Sequence, residues 1–392
     1  DALRGFDMFW ILGGDALVHA LAAMAAIAPF KLLARQFEHK DWAGFAFYDL
    51  IFPLFVFVSG VSMVFSLSRT IAQHGRWRAA QRVVVRTLVL VLVGIFYSGG
   101  VTNPWPDVRL LGVLQRIGLA YGGAGLLFCF FRPRALAGWT VALLVGYWAL
   151  MTWVPIRDVT LEAKAMTAQL GTAGKAPTLA QVQAHYDATT ARVTGRYDAG
   201  LNVANHFDFQ FLPGRKYDTY FDPEGILSTF PAIATCLLGV FAGLLLRDPR
   251  WTDGQKLARL VGAGLGALAL GWLWHLQFPV VKKIWTSSFV LVAGGWSLLL
   301  LALFYYVIDM RRWRGWIGPF VWIGMNSITL YVLANLIRPR AVAGRLAGGS
   351  VKSWLDTNIA AGLGNVVIAL VGALLVVWVA RFLHRRQIFL RL

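Results

Sequence analysis

The chain has 392 residues, 58% hydrophobic and only 14% charged, with a mean hydropathy of +0.60. Soluble domains carry about 25% charged residues, so a soluble enzyme or binding module is excluded and most side chains must face lipid or other helices. The net charge of +18 does not point to nucleic acid, because the positive residues cluster between apolar runs, which is how orientation in a membrane is encoded. Seventeen Trp and eleven Tyr suit the aromatic belts of a bilayer. The two cysteines, Cys129 and Cys236, lie inside apolar runs and are expected to be small core residues. Asp1 in place of Met predicts native residues ahead of it.

A span needs about 20 apolar residues. Runs at 5–27, 48–67, 83–97, 110–131, 136–154, 225–246, 257–276, 285–308, 316–336 and 359–382 meet or approach that length. They predict an all-α polytopic integral membrane protein, with about ten transmembrane helices in one bundle and a single domain over 1–392. The loop at 155–224 is its one sizeable extramembrane segment. The polar stretch at 162–186 suits a helix. The following NVANHFDFQFLPGRKYDTYFDPEG, rich in aromatics, Asn and Asp, suits a packed cap or a sugar-binding surface. No internal repeat or broken span is legible. The glycines of GAGLGALALG at 262–271 fit close helix contact better than a dinucleotide site. Excluding that long loop, which carries little orienting weight, nineteen Lys and Arg fall on the side of the termini and eleven on the other. This predicts both termini in the cytoplasm.

Polar residues interrupt the pattern at five places. Asp15 lies in ILGGDALVHA, roughly 15 Å beyond Gly5 at the helical rise. Arg116 sits in GVLQRIG and Glu224 in DPEGIL, each at the outer start of a span and expected to pair with each other or with a ligand. Ser287 and Ser288 follow Trp285, and Asn326 and Ser327 divide the ninth run. The richest stretch is FEHKDWAGFAFYDLIFPLFVFVSG at 37–60. There a polar cluster around His39 leads through Trp42 to Asp49 at the mouth of an apolar run, a costly place for a charge. An imidazole is the side chain that titrates near neutral pH. A surface histidine with no role is the blander alternative, and His206 is the reserve candidate. There is no P-loop, GxSxG, HExxH or paired CxxC, and no metal site is expected.

DALRGFD, FEHKDWAGFAFYDLIFPLFVF, GVLQRIG, DPEGIL, GMNSITLYV and HRRQIFLRL occur in this order over nearly the whole chain. Together they resemble the bacterial branch of the heparan-α-glucosaminide N-acetyltransferase family of transmembrane acyltransferases. The resemblance implies transfer of acetyl from cytosolic acetyl-CoA, the co-substrate, to a glucosamine-type amine on the far side of a bacterial inner membrane, by a multi-helix and possible homodimeric protein. It also implies that His39 is the catalytic histidine of the motif F-x-H-x-x-W-N-G, and that Asp15 stands where the family has an active-site Asn. Ala43 replaces the motif Asn, and Phe209 stands where relatives carry Arg, departures that bear on the acceptor more than on the donor.

Amine acetylation by a thioester needs a base near the amine and donors for the developing oxyanion. An imidazole can take the proton or be acylated itself, and either Asp49 or Asp15 can orient it. His39, Asp15 and Asp49 are therefore the expected catalytic set. Arg116, Gln115, Ser287, Ser288, Asn326 and Ser327 are the expected contacts of acetyl-CoA, whose phosphates suit the Arg-rich cytoplasmic mouth. Trp42, Glu224, Asp222 and Asp208 are the expected contacts of the amino sugar. An N-acetylglucosamine or related sugar transporter is the alternative. A purely structural or lipid-binding protein leaves the His39 cluster without a role. Reporter fusions at Gly75 and Ala168 are expected to lie on opposite sides of the membrane, and a shared compartment rejects this topology.

Overall fold

The computed structural model describes residues 1–25, 27–171 and 177–389. Helix α1 (Ala2–Phe9) passes through a π-helical turn at Trp10–Gly14, where Gly13 takes a φ of +144°, into α2 (Asp15–Met24). Short α3 (Ala28–Gln36) leads to the His39 loop. Helix α4 (Phe47–Tyr97) has 51 residues, a length of roughly 77 Å against a hydrocarbon core of about 30 Å. It resolves into two limbs at Gly75, whose φ of +81° is a left-handed conformation that suits glycine. Arg82 of the second limb donates to Thr70 Oγ1 of the first at 2.8 Å, so the limbs meet beside the break. Helices α5 (Val113–Phe130) and α6 (Pro133–Trp153) follow.

The loop after α6 is ordered as a cap. It holds β1 (Ile156–Arg157), α7 (Ala163–Leu170), α8 (Leu179–Ala188), β2 (Arg192–Val193) and α9 (Val203–Phe211), with the two strands antiparallel and Ile156 opposite Val193. Most of its aromatics are packed inward, although Phe211 and Tyr217 are exposed. Tyr186, Phe209, Tyr220 and Phe221 close one cluster over Val159 and Leu161, and Tyr147, Leu201 and Phe278 close another, with Trp42 packed against both.

The chain then returns through α10 (Thr229–Arg247), α11 (Asp253–Trp274) and α12 (Ser287–Phe304), the last extended by a π-helical segment to Met310. Helices α13 (Gly318–Met325) and α14 (Ser327–Ile337) form an apolar pair bent by 84°, the geometry of a broken span or of a re-entrant loop. The sequence marks this place only as a polar interruption of the ninth run and not as a broken helix. The bend falls at Asn326, which leaves the helical region at φ −125°, ψ 27°. Helices α15 (Pro339–Ala347), α16 (Ser350–Asn358) and α17 (Leu363–Arg385) complete the described chain.

Among the described residues eight helices are long and apolar enough to cross a membrane, or nine if the α13–α14 pair is one span. Dividing α4 at Gly75 accounts for the tenth predicted run. The protein is an all-α polytopic membrane protein.

The centre of the bundle is the first limb of α4, packed against α5, α10 and α12. Two glycines let α4 and α10 touch backbone to backbone. A β-carbon on Gly239 would overlap the Phe57 carbonyl, and one on Gly60 the Cys236 carbonyl. Cys236 is itself fully buried, with Sγ 3.7 Å from Ser59 Oγ. Gly239→Val is expected to part these helices at a cost of about 1–3 kcal/mol or more, read as a lower unfolding temperature in detergent. An unchanged temperature rejects the close approach.

Candidate active site

Asp49 is the third residue of α4. Its Oδ2 accepts the Ala46 N–H at 3.1 Å and the Lys40 N–H at 3.3 Å, so it caps orphan donors at the positive end of the helix. The carboxylate is 1% exposed. The chain before it turns at Gly44, φ +120°, and pairs with the loop joining α11 to α12. Ala43 bridges Val281, and the Gly44 N–H donates to the Val280 carbonyl at 2.8 Å. This short bridge brings Lys282 to the His39 loop.

The result is a three-residue cluster. His39 Nδ1 lies 2.8 Å from Asp49 Oδ1, Lys282 Nζ lies 3.3 Å from the same oxygen, and Nζ and Nδ1 are 3.1 Å apart. Burial lowers the lysine's pKa and Asp49 pulls it back up. The Tyr48 ring lies against the imidazole, centroids 4.8 Å apart, and its hydroxyl donates to Asp15 Oδ2 at 3.2 Å. The alternatives left open by the sequence are thereby separated: Asp49 touches the histidine, and Asp15 reaches it only through Tyr48. Nε2, on the other edge of the ring, has no protein hydrogen bond among the described residues.

His39 lines a cavity of about 350 Å³. Its rim carries Lys40, Tyr48, Arg109, Tyr217, Glu224, Lys282 and Lys283; its depth is apolar, with Met8, Ile11, Phe52, Phe55, Ile117 and Ile328. Trp285 forms one wall at φ +48°, a strained conformation for a bulky residue, held by Nε1 donating to Thr235 Oγ1 at 3.1 Å.

A second charge cluster closes the rim. Arg109 binds Asp222 through two hydrogen bonds, at 2.9 and 2.8 Å, and reaches Glu224 Oε2 at 2.7 Å. Its guanidinium lies over the Tyr217 ring at 5.0 Å. Burial and the neighbouring Asp222 carboxylate push Glu224 up to about 7, against the pull of Arg116 and Arg109. The expected Arg116–Glu224 pair is replaced by this Arg109 bridge. Arg116 sits deeper and binds the backbone that carries Glu224: the carbonyls of Pro223, Gly225 and Ser228 at 3.2–3.3 Å, and Ser228 Oγ at 2.6 Å.

The other sequence candidates brace the site or lie apart from the cavity lining. Trp42 donates from Nε1 to the Tyr197 carbonyl at 2.7 Å, tying the His39 loop to the cap. Asp208 accepts the Ile226 N–H at 2.9 Å, and burial pushes its carboxyl up to about 7. Ser287 and Ser288 are fully buried and donate to the carbonyls of Leu144 and Pro279 at 2.7 and 3.0 Å. Ser327 opens α14. Gln115 Nε2 and both amide atoms of Asn326 are buried without a hydrogen-bond partner. His206 is a core residue of the cap: Nε2 lies 3.0 Å from the Val159 carbonyl, and burial lowers its pKa to about 4.

The sequence reading passed over Lys282, Arg109 and Asp7. The signal for Asp7 was a carboxyl inside an apolar run; it is fully buried with neither oxygen hydrogen-bonded. Lys282 and Arg109 carried no signal beyond charge near a span.

Fold and site together define a polytopic helical membrane protein with a histidine–carboxylate–lysine cluster over a cavity that reaches into the bundle. No family model matches the chain. Two curated relatives do, both heparan-alpha-glucosaminide N-acetyltransferases: that of Mus musculus at 28% identity and that of Homo sapiens at 29%, each match covering 76% of this chain. The chain spans about half the length of these relatives, 48% in each case. It is similar to that family.

Arg109→Ala leaves the Asp222 carboxylate, which is fully buried in the ion pair, without its counter-charge. The expected cost is about 3–5 kcal/mol, read as a large loss of thermal stability in detergent that Asp222→Asn in the same chain partly restores. Equal stability of Arg109→Ala and wild type rejects the bridge as a structural tie.

Proposed function

We propose that the chain is a transmembrane acetyltransferase that carries acetyl from cytosolic acetyl-CoA to the amine of a glucosamine-type sugar on the extracytoplasmic side, with His39 as the reacting group. The observation that carries this reading is the orientation of the ring. Nδ1 is engaged by Asp49 beside Lys282, and Nε2, on the other edge of a half-exposed ring that lines the cavity, carries no protein hydrogen bond among the described residues. The similarity to N-acetyltransferases supports the reaction class.

The chemistry needs one proton relay. Nε2 takes a proton from the acceptor amine, the amine nitrogen attacks the thioester carbonyl, the C–N bond forms and the C–S bond breaks. The proton then passes to the departing sulfur, giving CoA as the thiol. Transfer through an acetyl group on His39 uses the same atom, first as the nucleophile that expels the CoA thiolate and then as the leaving group, which takes up the amine's proton and passes it to that thiolate. Asp49 holds the tautomer, and Asp15 supports the ring through Tyr48. Glu224, beside Asp222 at the rim, suits an approaching ammonium, with Trp42 and Asp208 shaping that end from behind. The buried, unpartnered polar atoms of Gln115, Arg116 and Asn326 suit the amides of the pantetheine arm, because an unmade buried hydrogen bond costs about 1–3 kcal/mol. Ser287, Ser288 and Ser327 belong to the same depth of the bundle. The setting is a bacterial inner membrane with both termini cytoplasmic, and the assembly a homodimer.

A sugar transporter is the second reading. The 84° break at Asn326 favours it, since discontinuous helices hold substrate in transporters.

Purified protein incubated with labelled acetyl-CoA and a panel of amino sugars separates the two. His39→Ala is expected to keep its fold and its CoA binding and to lose transfer by ~10²–10⁴-fold. Near wild-type transfer by His39→Ala ends this mechanism, and sugar uptake by vesicles without acetylation moves the assignment to transport.

A further inference from the structure

Lys282 stands out because it contacts the edge of His39 that does not react. A ring nitrogen carries either a proton or a lone pair. An ionised Asp49 only accepts, so its 2.8 Å contact fixes the proton on Nδ1. Lys282 Nζ, 3.1 Å from that nitrogen, then converges on Asp49 Oδ1 beside it, at 3.3 Å. Two donors share one oxygen, and their closeness is tolerable while the ring is neutral. A second proton, at Nε2, sets an imidazolium against an ammonium.

We propose that Lys282 is a positioning residue that keeps the His39 ring neutral at rest, with Nε2 free toward the cavity, by occupying the carboxylate that would otherwise stabilise an imidazolium. This rests on the reading of His39 as the reacting group. The same repulsion drives the proton taken from the amine onward from Nε2 to the leaving CoA sulfur.

The other charges facing the cluster are paired elsewhere, apart from the ammonium of Lys40. Glu224 acts on Lys282 but is bound by Arg109 at 2.7 Å. Lys283 is paired with Asp218 at 3.0 Å. Asp15 holds the Tyr48 hydroxyl. Lys40 lines the cavity and contributes its backbone N–H to Asp49. Lys282 is 21% exposed in its side chain, and the Ala43–Val281 bridge fixes its backbone beside the His39 loop.

The test is carbethoxylation of His39 by diethyl pyrocarbonate in the full-length chain, read on the His39 peptide by mass spectrometry across the neutral pH range. Lys282→Met and Lys282→Gln are each expected to raise the pH midpoint of His39 reactivity by about one unit, and Lys282→Arg to keep it near wild type. Acetyl transfer by the neutral variants is expected to fall about tenfold at neutral pH and to return as pH rises. Unchanged midpoints in both neutral variants, or a pH-independent loss that Lys282→Arg fails to rescue, overturn the proposal. Midpoints that shift in a protein whose wild type transfers no acetyl keep the charge coupling and overturn the acetyltransferase reading instead.

Discussion

The site depends on one carboxylate. Asp49 closes the first turn of the central helix, anchors the His39 ring and holds Lys282, all through two oxygens that are 1% exposed. Each contact makes the others possible. The helix terminus and the lysine offset the cost of burying the charge, and the buried charge fixes which edge of the imidazole is engaged by the protein. Because α4 is also the core of the bundle, the ring is held by the most tightly packed element of the fold. A reacting group is better placed on such an element than on a free loop.

The balance between cap and bundle follows the same logic. Arg109 joins the entry of α5 to Asp222 and Glu224 at the entry of α10, and Arg116, one level deeper, satisfies the carbonyls of that same turn. Two guanidiniums thus organise one backbone segment, the upper by charge and the lower by hydrogen bonds. The aromatics of the long loop complete the closure by packing on one another, with Trp42 pinned into them. Glu224 stays at the rim, held there by its own bond to Arg109.

Much of this was legible in the sequence, and the rest was hidden for physical reasons. The apolar runs gave the spans because lipid imposes length and composition on each helix separately. His39 and Asp49 were legible because they are ten residues apart across one short loop. Lys282 was not, because it reaches His39 from 243 residues away through a two-residue bridge with no pattern of its own. The Arg116–Glu224 pairing failed on depth. Arg116 lies in the first turn of α5 while Arg109 lies in the non-helical chain four residues ahead of that helix, and sequence fixes level in the membrane only to within several residues. The break at Asn326 is a tertiary effect: α13 packs closely on α1 at Gly5 and Gly324, which sets its direction apart from that of α14.

The cavity itself is divided by chemistry. Its lining combines the charged groups around His39 and Arg109 with apolar walls from Met8, Phe55, Ile117 and Ile328. A polar sugar gains nothing from those walls, whereas a flexible acyl arm can pack on them. On the proposed reading the two substrates therefore meet at Nε2 from opposite directions, the sugar amine through the charged rim and the thioester along the apolar wall. The bilayer makes that division useful, since each substrate is present on one side only and neither has to cross. Asp7, buried and without a hydrogen bond in the same span as Met8, is a carboxyl this division does not use. Its desolvation is an expense that the described packing does not offset.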